Sequence, residues 1–258
     1  MKTKPKVLIF SGYGLNCEEE AKIAFEAVGA EASIVHLADI IAAPKMLKKY
    51  QIAVFPGGFS YGDDAGSGKA YGKRVEHHLS DELQEFLSRD TLMAGICNGF
   101  QIVTSAGILP GALIANDSAR LSCRWVDLEV TGESPWLTGI KRFSVPIGHG
   151  EGKYYDSPKN LDALEKSGRV VLRYVKGELS KMEGLPGNPN GSLRDIAGIS
   201  GYDGRVIGLM PHPERGSFFT QRPDWTDQRE KLEKEGKPLP KFAPGIEFFR
   251  NAVNYFNY

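Results

Sequence analysis

The stretch Met93-Ala-Gly-Ile-Cys-Asn-Gly-Phe-Gln-Ile-Val-Thr104 joins a short apolar run to a segment with apolar residues at helical spacing. The apolar run is typical of a buried parallel strand, and residues 100–106 are typical of a helix that packs on a sheet. Cys97 stands at the junction, between Gly95 and Gly99. This arrangement is the cysteine counterpart of the Gly-x-Ser-x-Gly elbow, in which small neighbours allow a sharp turn. The stretch therefore predicts an α/β fold with Cys97 held at the edge of the sheet.

Cys97 at this junction faces the positive end of the following helix. That position favours the thiolate over the thiol, so a nucleophile is available near neutral pH. A buried structural cysteine is the more common outcome for a cysteine after an apolar run. The paired glycines favour the nucleophile without excluding the structural interpretation.

The composition narrows the class of protein. The 258 residues include 32 basic and 32 acidic side chains, with a formal net charge of zero. No long-range field therefore attracts nucleic acid or an anionic membrane, and a small neutral ligand or a protein partner is favoured. Cys17, Cys97 and Cys123 are too few for a disulfide framework, and no C-x-x-C pair indicates structural zinc. Few, scattered cysteines and the lack of a signal-peptide core or membrane-spanning run predict a cytoplasmic protein. No His/Cys/Asp/Glu cluster has a recognisable metal-ligand spacing, so no metal site is expected.

Strand and helix patterns alternate through the first half of the chain. Strands are predicted at 6–11, 31–36, 51–55 and from residue 92, and helices at about 18–28, 44–49, 81–88 and 100–106. Strand-like runs follow at 121–130, 143–147, 170–174, 196–200 and 206–210. The length and this order predict one α/β domain over residues 1–258.

The turn after the first strand is Gly12-Tyr-Gly14. Position 17 is Cys, so the third glycine of a dinucleotide fingerprint is missing and no nucleotide site is expected. Cys17 is predicted to pack rather than to react, because no apolar strand delivers it to a sheet edge.

A glycine-rich loop, Pro56-Gly-Gly-Phe-Ser-Tyr-Gly-Asp-Asp64, follows the strand at 51–55. Two glycines just beyond a strand can aim backbone N–H groups into the crevice where ligands of open α/β sheets bind, and such a nest suits an oxyanion. A flexible turn is an equally good interpretation of this loop alone. The polar residues 64–74 are predicted to form a mobile surface loop.

The run at 206–210 ends in Pro211-His-Pro-Glu-Arg215. Pro213 favours an extended backbone at His212, and side chains two apart in an extended segment point the same way. Glu214 can therefore hold one imidazole nitrogen and leave the other free to take a proton from a thiol. A structural histidine between prolines is the alternative. The other histidines have no such local partner, and the glycine-rich loops 148–152 and 188–192 are not expected in the core.

Together these elements resemble the class I (triad) glutamine amidotransferases. Four motifs are similar to the glutaminase components of phosphoribosylformylglycinamidine synthases: Pro56-Gly-Gly-Phe-Ser-Tyr-Gly-Asp63, Cys97-Asn-Gly-Phe-Gln101, His149-Gly-Glu-Gly152 and Met210-Pro-His-Pro-Glu-Arg215. The resemblance implies a doubly wound α/β domain with a mostly parallel central sheet. It also implies glutamine hydrolysis that supplies ammonia to purine biosynthesis.

Site residues follow from the resemblance, motif by motif. Cys97 is the expected nucleophile, with His212 as base and then acid and Glu214 orienting His212. The oxyanion is expected to be held by the N–H groups of Gly58 and Asn98. The resemblance also implies that Gln101 and Gly57 contact glutamine. His149 is a weaker candidate for the same role.

The implied reaction needs a partner. The resemblance implies a large synthase chain that uses ATP and Mg, together with a small accessory subunit. The synthase must be a separate chain, because nothing in this sequence matches a Walker A loop. No cofactor is expected in this chain. Residues 215–243 depart from the pattern and are interpreted as a surface insertion, with a docking surface that includes Trp225 as the alternative.

Three other functions remain open at this stage. The chain could supply ammonia to a different synthetase, it could be a free-standing thiol peptidase or γ-glutamyl hydrolase, or it could be a binding module without chemistry. The intact Cys97, His212 and Glu214 argue against the last of these.

Overall fold

The structure is a computed structural model that describes residues 4–182 and 184–256. Its strands are β1 Lys6–Ser11, β2 Glu31–His36, β3 Ile52–Phe55, β4 Leu92–Ile96, β5 Ala112–Ile114, β6 Ser122–Val130, β7 Arg142–His149, β8 Lys153–Tyr155, β9 Val170–Val175, β10 Ile196–Gly201 and β11 Val206–Leu209. Its α-helices are α1 Glu18–Ala27, α2 Leu37–Ala42, α3 Lys69–Ser88, α4 Asn98–Ser105, α5 Pro158–Lys166, α6 Glu178–Met182, α7 Trp225–Lys234 and α8 Ile246–Asn254. Short 3-10 turns include Pro44–Lys49, Ser60–Asp63 and Pro213–Gly216.

Among the described residues, the central sheet has nine strands in the order β2-β1-β3-β4-β11-β10-β9-β6-β7. The first five are paired in parallel. From β11 to β7 the pairs are antiparallel. The α/β fold with a mostly parallel sheet is confirmed, and the antiparallel part extends one edge of it.

Helices cover the parallel part of the sheet on both faces. Every residue from Val7 to Phe10 and from Ile52 to Phe55 is fully buried, so successive side chains of each strand meet a packed layer on either side. Helices α1 and α8 pack together, as do α3 and α4. Strand β1 lies between β2 and β3, so the strand order reverses there, and such a reversal opens a crevice at the carboxyl ends of the strands.

The prediction of a mobile loop at residues 64–74 is wrong for most of that range. Helix α3 begins at Lys69, twelve residues before the predicted start of a helix at 81. Tyr71 and Val75 are buried at a spacing of four, while the polar residues between them face solvent. Only residues 64–68 connect the preceding turn to the helix.

Residues 215–243 form short turns and helix α7. No residue of α7 is buried. The Arg229 Cζ atom lies over the Trp225 ring, 5.3 Å from the ring centroid. The interpretation of this stretch as an insertion stays a prediction.

Nothing in the described part of the chain forms a helix of the length and apolarity needed to cross a bilayer.

Candidate active site

The elbow at Cys97 has the predicted strand–turn–helix geometry. Cys97 lies between β4 and α4 with φ 52° and ψ −110°, a backbone conformation that residues other than glycine rarely adopt. Its glycine neighbours permit close backbone contacts: a Cβ atom on Gly99 would lie 1.8 Å from the Phe55 carbonyl oxygen, and one on Gly95 would lie 2.6 Å from the Gly99 carbonyl oxygen. The two glycines therefore let α4 begin directly against β3, and this position places the thiol at the carboxyl end of β4, with its Sγ 3.8 Å from Gly148 O.

Two backbone N–H groups are predicted to hold an oxyanion, and both follow the carboxyl ends of the neighbouring strands β3 and β4. Asn98 is the first residue of α4, so its N–H has no acceptor within the helix. Among the described residues, the Gly58 N–H donates no hydrogen bond either. The carbonyl oxygen of the same peptide, on Gly57, accepts hydrogen bonds from the N–H groups of Asn16 and Cys17, each at 3.1 Å. The Gly57–Gly58 peptide is thus fixed in orientation with its N–H unused.

His212 and Glu214 form the predicted pair. The His212 backbone N–H donates to Pro146 O at 2.8 Å, and His212 Nδ1 lies 2.5 Å from Glu214 Oε1. The His212 backbone is extended, as Pro213 requires, and both side chains are almost completely buried. His212 Nε2 makes no hydrogen bond among the described residues, so it is free to exchange a proton with a thiol.

Opposing effects set the charge of His212. Burial of the ring would lower its pKa, but the Glu214 carboxylate and the Cys97 thiol outweigh burial and hold the pKa of His212 well above its usual value. An imidazole with a raised pKa carries a proton near neutral pH. It can therefore balance a thiolate on Cys97 and later protonate a leaving group.

Gln101 is held by its neighbours. Its Nε2 donates to Glu151 O at 2.6 Å, and its Oε1 accepts from Asn98 Nδ2 at 2.7 Å. Asn98 Oδ1 in turn accepts from the Ser60 N–H. Gln101 thereby joins α4 to the loops that follow β3 and β7, and direct contact of Gln101 with glutamine stays a prediction.

His149 is in the core, contrary to the expectation for the loop at 148–152, because β7 extends to this residue. Asn190 Nδ2 donates to His149 Nε2 at 3.0 Å and also to Gly152 O at 2.8 Å. The proton of the neutral ring is therefore on Nδ1, which is buried and has no acceptor among the described residues. Burial, followed by repulsion from His212, lowers the pKa of His149 to about 3. The ring is a neutral donor beside the crevice.

The sequence did not indicate the surroundings of Cys17. Cys17 is buried as predicted, but its Sγ accepts a hydrogen bond from Arg215 Nη2 at 2.9 Å. A ligand atom from each of Cys17, His212 and Glu214 lies within 4.8 Å of the others, the one such group found in the described chain that could hold a metal. The Arg215 cation against the thiol opposes a second cation there. The position of Cys17 just after β1 is a signal of this contact, since the carboxyl ends of parallel strands meet at one edge.

The geometry agrees with what the comparisons with known proteins show. Residues 4–256 match the family model of the CobB/CobQ-like glutamine amidotransferase domain. The phosphoribosylformylglycinamidine synthase subunit PurQ of Methanococcus maripaludis strain S2 is 43% identical over 270 residues, with 100% of this chain and 99% of that protein covered. The same subunit of Dehalococcoides mccartyi is 39% identical over 263 residues, with 98% of each covered.

A solved structure is similar over the same length. A chain of the PurLQS structure from Thermotoga maritima is 31% identical and aligns with a TM-score of 0.74, with 98% of this chain and 99% of that chain covered. The similarity covers the elbow, the glycine-rich loop and the His-Pro-Glu turn together. The chain therefore belongs to the CobB/CobQ-like glutamine amidotransferases and, within them, to the family of phosphoribosylformylglycinamidine synthase PurQ subunits.

Proposed function

We propose that this chain hydrolyses L-glutamine through Cys97, His212 and Glu214 and delivers the ammonia to a separate, ATP-dependent phosphoribosylformylglycinamidine synthase subunit in purine biosynthesis. The observation that carries the proposal is the convergence of a strained elbow cysteine, a free imidazole nitrogen and two unused N–H groups at one sheet edge. Nucleophile, proton carrier and oxyanion donors are what acyl transfer from an amide requires.

In the first half of the reaction, the Cys97 thiolate attacks the side-chain amide carbon of glutamine. A C–S bond forms, and the carbonyl oxygen takes the negative charge, which the N–H groups of Gly58 and Asn98 stabilise. When the tetrahedral intermediate collapses, the C–N bond breaks and His212 gives its proton to the leaving nitrogen. Ammonia and a γ-glutamyl thioester on Cys97 result.

In the second half, His212 takes a proton from water, which attacks the thioester carbon. The C–S bond breaks, and glutamate is released with Cys97 restored as the thiolate. Glu214 keeps the His212 ring oriented throughout, because its Oε1 holds Nδ1 and leaves Nε2 to carry the proton.

Glutamine itself is expected to meet the Gly57 backbone and the donor on His149. The His149 Nδ1–H is a buried donor that finds no acceptor in the described part of the chain, and a substrate oxygen would satisfy it. Gln101 acts in this proposal mainly by holding the Glu151 backbone in place.

The partner follows from the relatives, which are named as subunits of phosphoribosylformylglycinamidine synthase. We expect the large synthase chain to bind ATP and Mg²⁺ and to consume the ammonia, with a small accessory subunit as a third component. We expect the complex to work in the cytoplasm.

The test is Cys97→Ser in the assembled complex. Glutamine-dependent activity should fall by at least about 10³-fold, while activity with added ammonium should stay within twofold, because only ammonia supply needs the thiolate. Cys123→Ser, which replaces the exposed cysteine of β6, is the matched control and should change neither activity. Retained glutamine hydrolysis in Cys97→Ser would refute the proposed nucleophile.

A further inference from the structure

We propose that Cys17 is a positioning residue for the glutaminase reaction: its thiol accepts the Arg215 guanidinium and so keeps Arg215 away from the Glu214 carboxylate that His212 needs. The proposal rests on the proposed function, since it concerns the same base. It assigns a role to a cysteine that the motifs of the triad do not include.

The Cys17 side chain is fully engaged by polar neighbours. Its Sγ accepts from Arg215 Nη2 at 2.9 Å and donates to Asn16 Oδ1 at 3.3 Å. A group that donates one hydrogen bond and accepts another is a neutral thiol. Burial raises the pKa of Cys17, although His212 opposes that shift, and this agrees with the neutral form. Cys17 is therefore a fixed acceptor for Arg215 and not a second nucleophile.

Glu214 offers Arg215 an alternative partner. Glu214 Oε1 holds His212, but Oε2 is buried and makes no hydrogen bond among the described residues. Glu214 is the neighbour of Arg215 in the chain, and its carboxylate belongs to the same tight group as the Cys17 thiol. Arginine pairs with a carboxylate through two parallel hydrogen bonds, a stronger interaction than its contact with a thiol. Arg215 Nε already lies 3.8 Å from Glu20 Oε1, a partly exposed carboxylate. Loss of the thiol would therefore leave Nη2 without its acceptor and turn that part of the guanidinium towards Glu214.

That rearrangement would weaken the base. A Glu214 carboxylate neutralised by Arg215 supports the protonated His212 less well. The other charged or titratable groups that face His212 are Cys97 from the elbow, Cys17 from the start of α1 and His149 from β7. His149 is neutral, Cys17 is a neutral thiol, and the Cys97 thiolate forms only together with protonated His212. Among the described residues, no other group therefore replaces the support that Glu214 gives.

The experiment measures how readily the Cys97 thiol reacts as a function of pH. The assembled complex is used, in which the site is expected to be accessible, and its glutaminase chain carries Cys123→Ser to remove the exposed thiol. Iodoacetamide alkylation of Cys97 is followed by mass spectrometry. Cys17→Ala should move the pH of half-maximal alkylation up by about one unit, a tenfold loss of reactive thiolate below the midpoint. It should also lower kcat for glutamine in the assembled complex about tenfold, with KM within twofold.

Two companion variants distinguish the loss of the hydrogen-bond acceptor for Arg215 from the loss of packing at position 17. Cys17→Ser keeps an oxygen acceptor for Arg215, so its midpoint should stay within about 0.3 units of the parent. Cys17→Val fills the space without an acceptor and should behave like Cys17→Ala. Thermal unfolding of each variant shows that the fold is intact.

A merely structural role predicts a different result. The proposal would be overturned if all three variants kept the alkylation midpoint of the parent and only their melting temperatures fell. It would also be overturned if Cys17→Val and Cys17→Ser had the same alkylation midpoint. Neither result affects the assignment of Cys97, which Cys97→Ser tests separately.

Discussion

Cys97 holds an unfavourable backbone conformation, and its neighbours maintain it. A residue other than glycine with positive φ costs on the order of 1–3 kcal/mol. The Cys97 N–H donates to Leu209 O of β11 at 2.8 Å, and Cys97 O accepts from the Phe100 N–H at 2.9 Å. The strand on one side and the helix on the other thus fix both ends of the residue. The strained conformation thereby holds the thiol at the carboxyl end of β4, beside the Gly148 carbonyl oxygen.

His212 and Glu214 could be predicted because they are neighbours in an extended segment fixed by Pro213. The contact between Cys17 and Arg215 was not predicted. Both residues follow a strand, but 198 positions separate them and the contact depends on how β1 and β11 are ordered in the sheet. Local spacing identifies partners within one turn or strand end. Contacts between strand ends require the topology.

His149 makes the stability of the protein depend on pH. Burial lowers the pKa of His149 to about 3, so between about pH 3 and 6.5 the unfolded state binds more protons than the folded state. Above pH 6.5, His149 therefore does not make the free energy of unfolding change with pH. As the pH falls below 6.5, the free energy of unfolding decreases by up to about 1.4 kcal/mol per pH unit. We expect His149→Gln to flatten the free energy of unfolding between pH 4 and 6.5, measured by urea titration.

The control for this prediction is His77→Gln on the exposed face of α3, which should leave the pH dependence unchanged. A slope for His149→Gln equal to that of the parent protein would show that His149 is not held neutral by the fold.

At the scale of elements, buried strands were the most predictable part of the chain. Runs such as Val7 to Phe10 are apolar throughout, and their ends were predicted to within a residue or two. Helix α3 was missed at its start because Gly66 and Gly68 suggest a loop. Its buried residues recur at intervals of four, and that periodicity is the evidence that outweighs the glycines.

The junction of α4 with β3 leads to a prediction about stability. A Cβ on Gly99 would lie 1.8 Å from the Phe55 carbonyl oxygen, and neither backbone can move without disturbing a fully buried strand. Gly99→Ala should therefore lower the free energy of unfolding by about 3 kcal/mol or more. Gly150→Ala is the control, because a Cβ there meets no atom within 4 Å. Similar denaturation midpoints for the two variants would contradict the close approach.

For the whole molecule, local patterns predict the class of fold better than its sheet. The alternation of strands and helices in the first half indicates parallel pairing. The strands of the second half show no helices between most neighbours, and they pair antiparallel from β11 to β7. Strand β9 pairs with β6 rather than with β8, and β11 pairs with β4 across more than a hundred residues. Neither apolar periodicity nor turn residues contain that information.

The structure also changes the description of the glycine-rich loop, for which a flexible turn was one interpretation. The Phe59 N–H donates to Gly14 O at 2.9 Å and the Tyr61 N–H to Tyr13 O at 2.7 Å, so the loop is tied to the segment after β1. Reversal of the Gly57–Gly58 peptide would break both hydrogen bonds to the Gly57 carbonyl oxygen. A change in the oxyanion site therefore requires the segment before α1 to move with it.

The synthase partner is expected to control the glutaminase reaction. Cys97 is 4% exposed and His212 is 2% exposed in the single chain, so glutamine cannot reach them until the crevice opens. Ammonia released without a synthase is wasted, and loss of one oxyanion donor alone costs about 10²–10³-fold in rate. A partner that moves the paired segments 12–17 and 56–63 could open the site without touching Cys97. We expect the lone chain to hydrolyse glutamine at least about 10²-fold more slowly than the complex supplied with nucleotide and ribonucleotide substrate. Steady-state glutaminase assays of the chain alone, with the synthase, and with the synthase and its substrates measure this. Equal rates in the three mixtures would mean that the site opens by itself and that the partner only receives the ammonia.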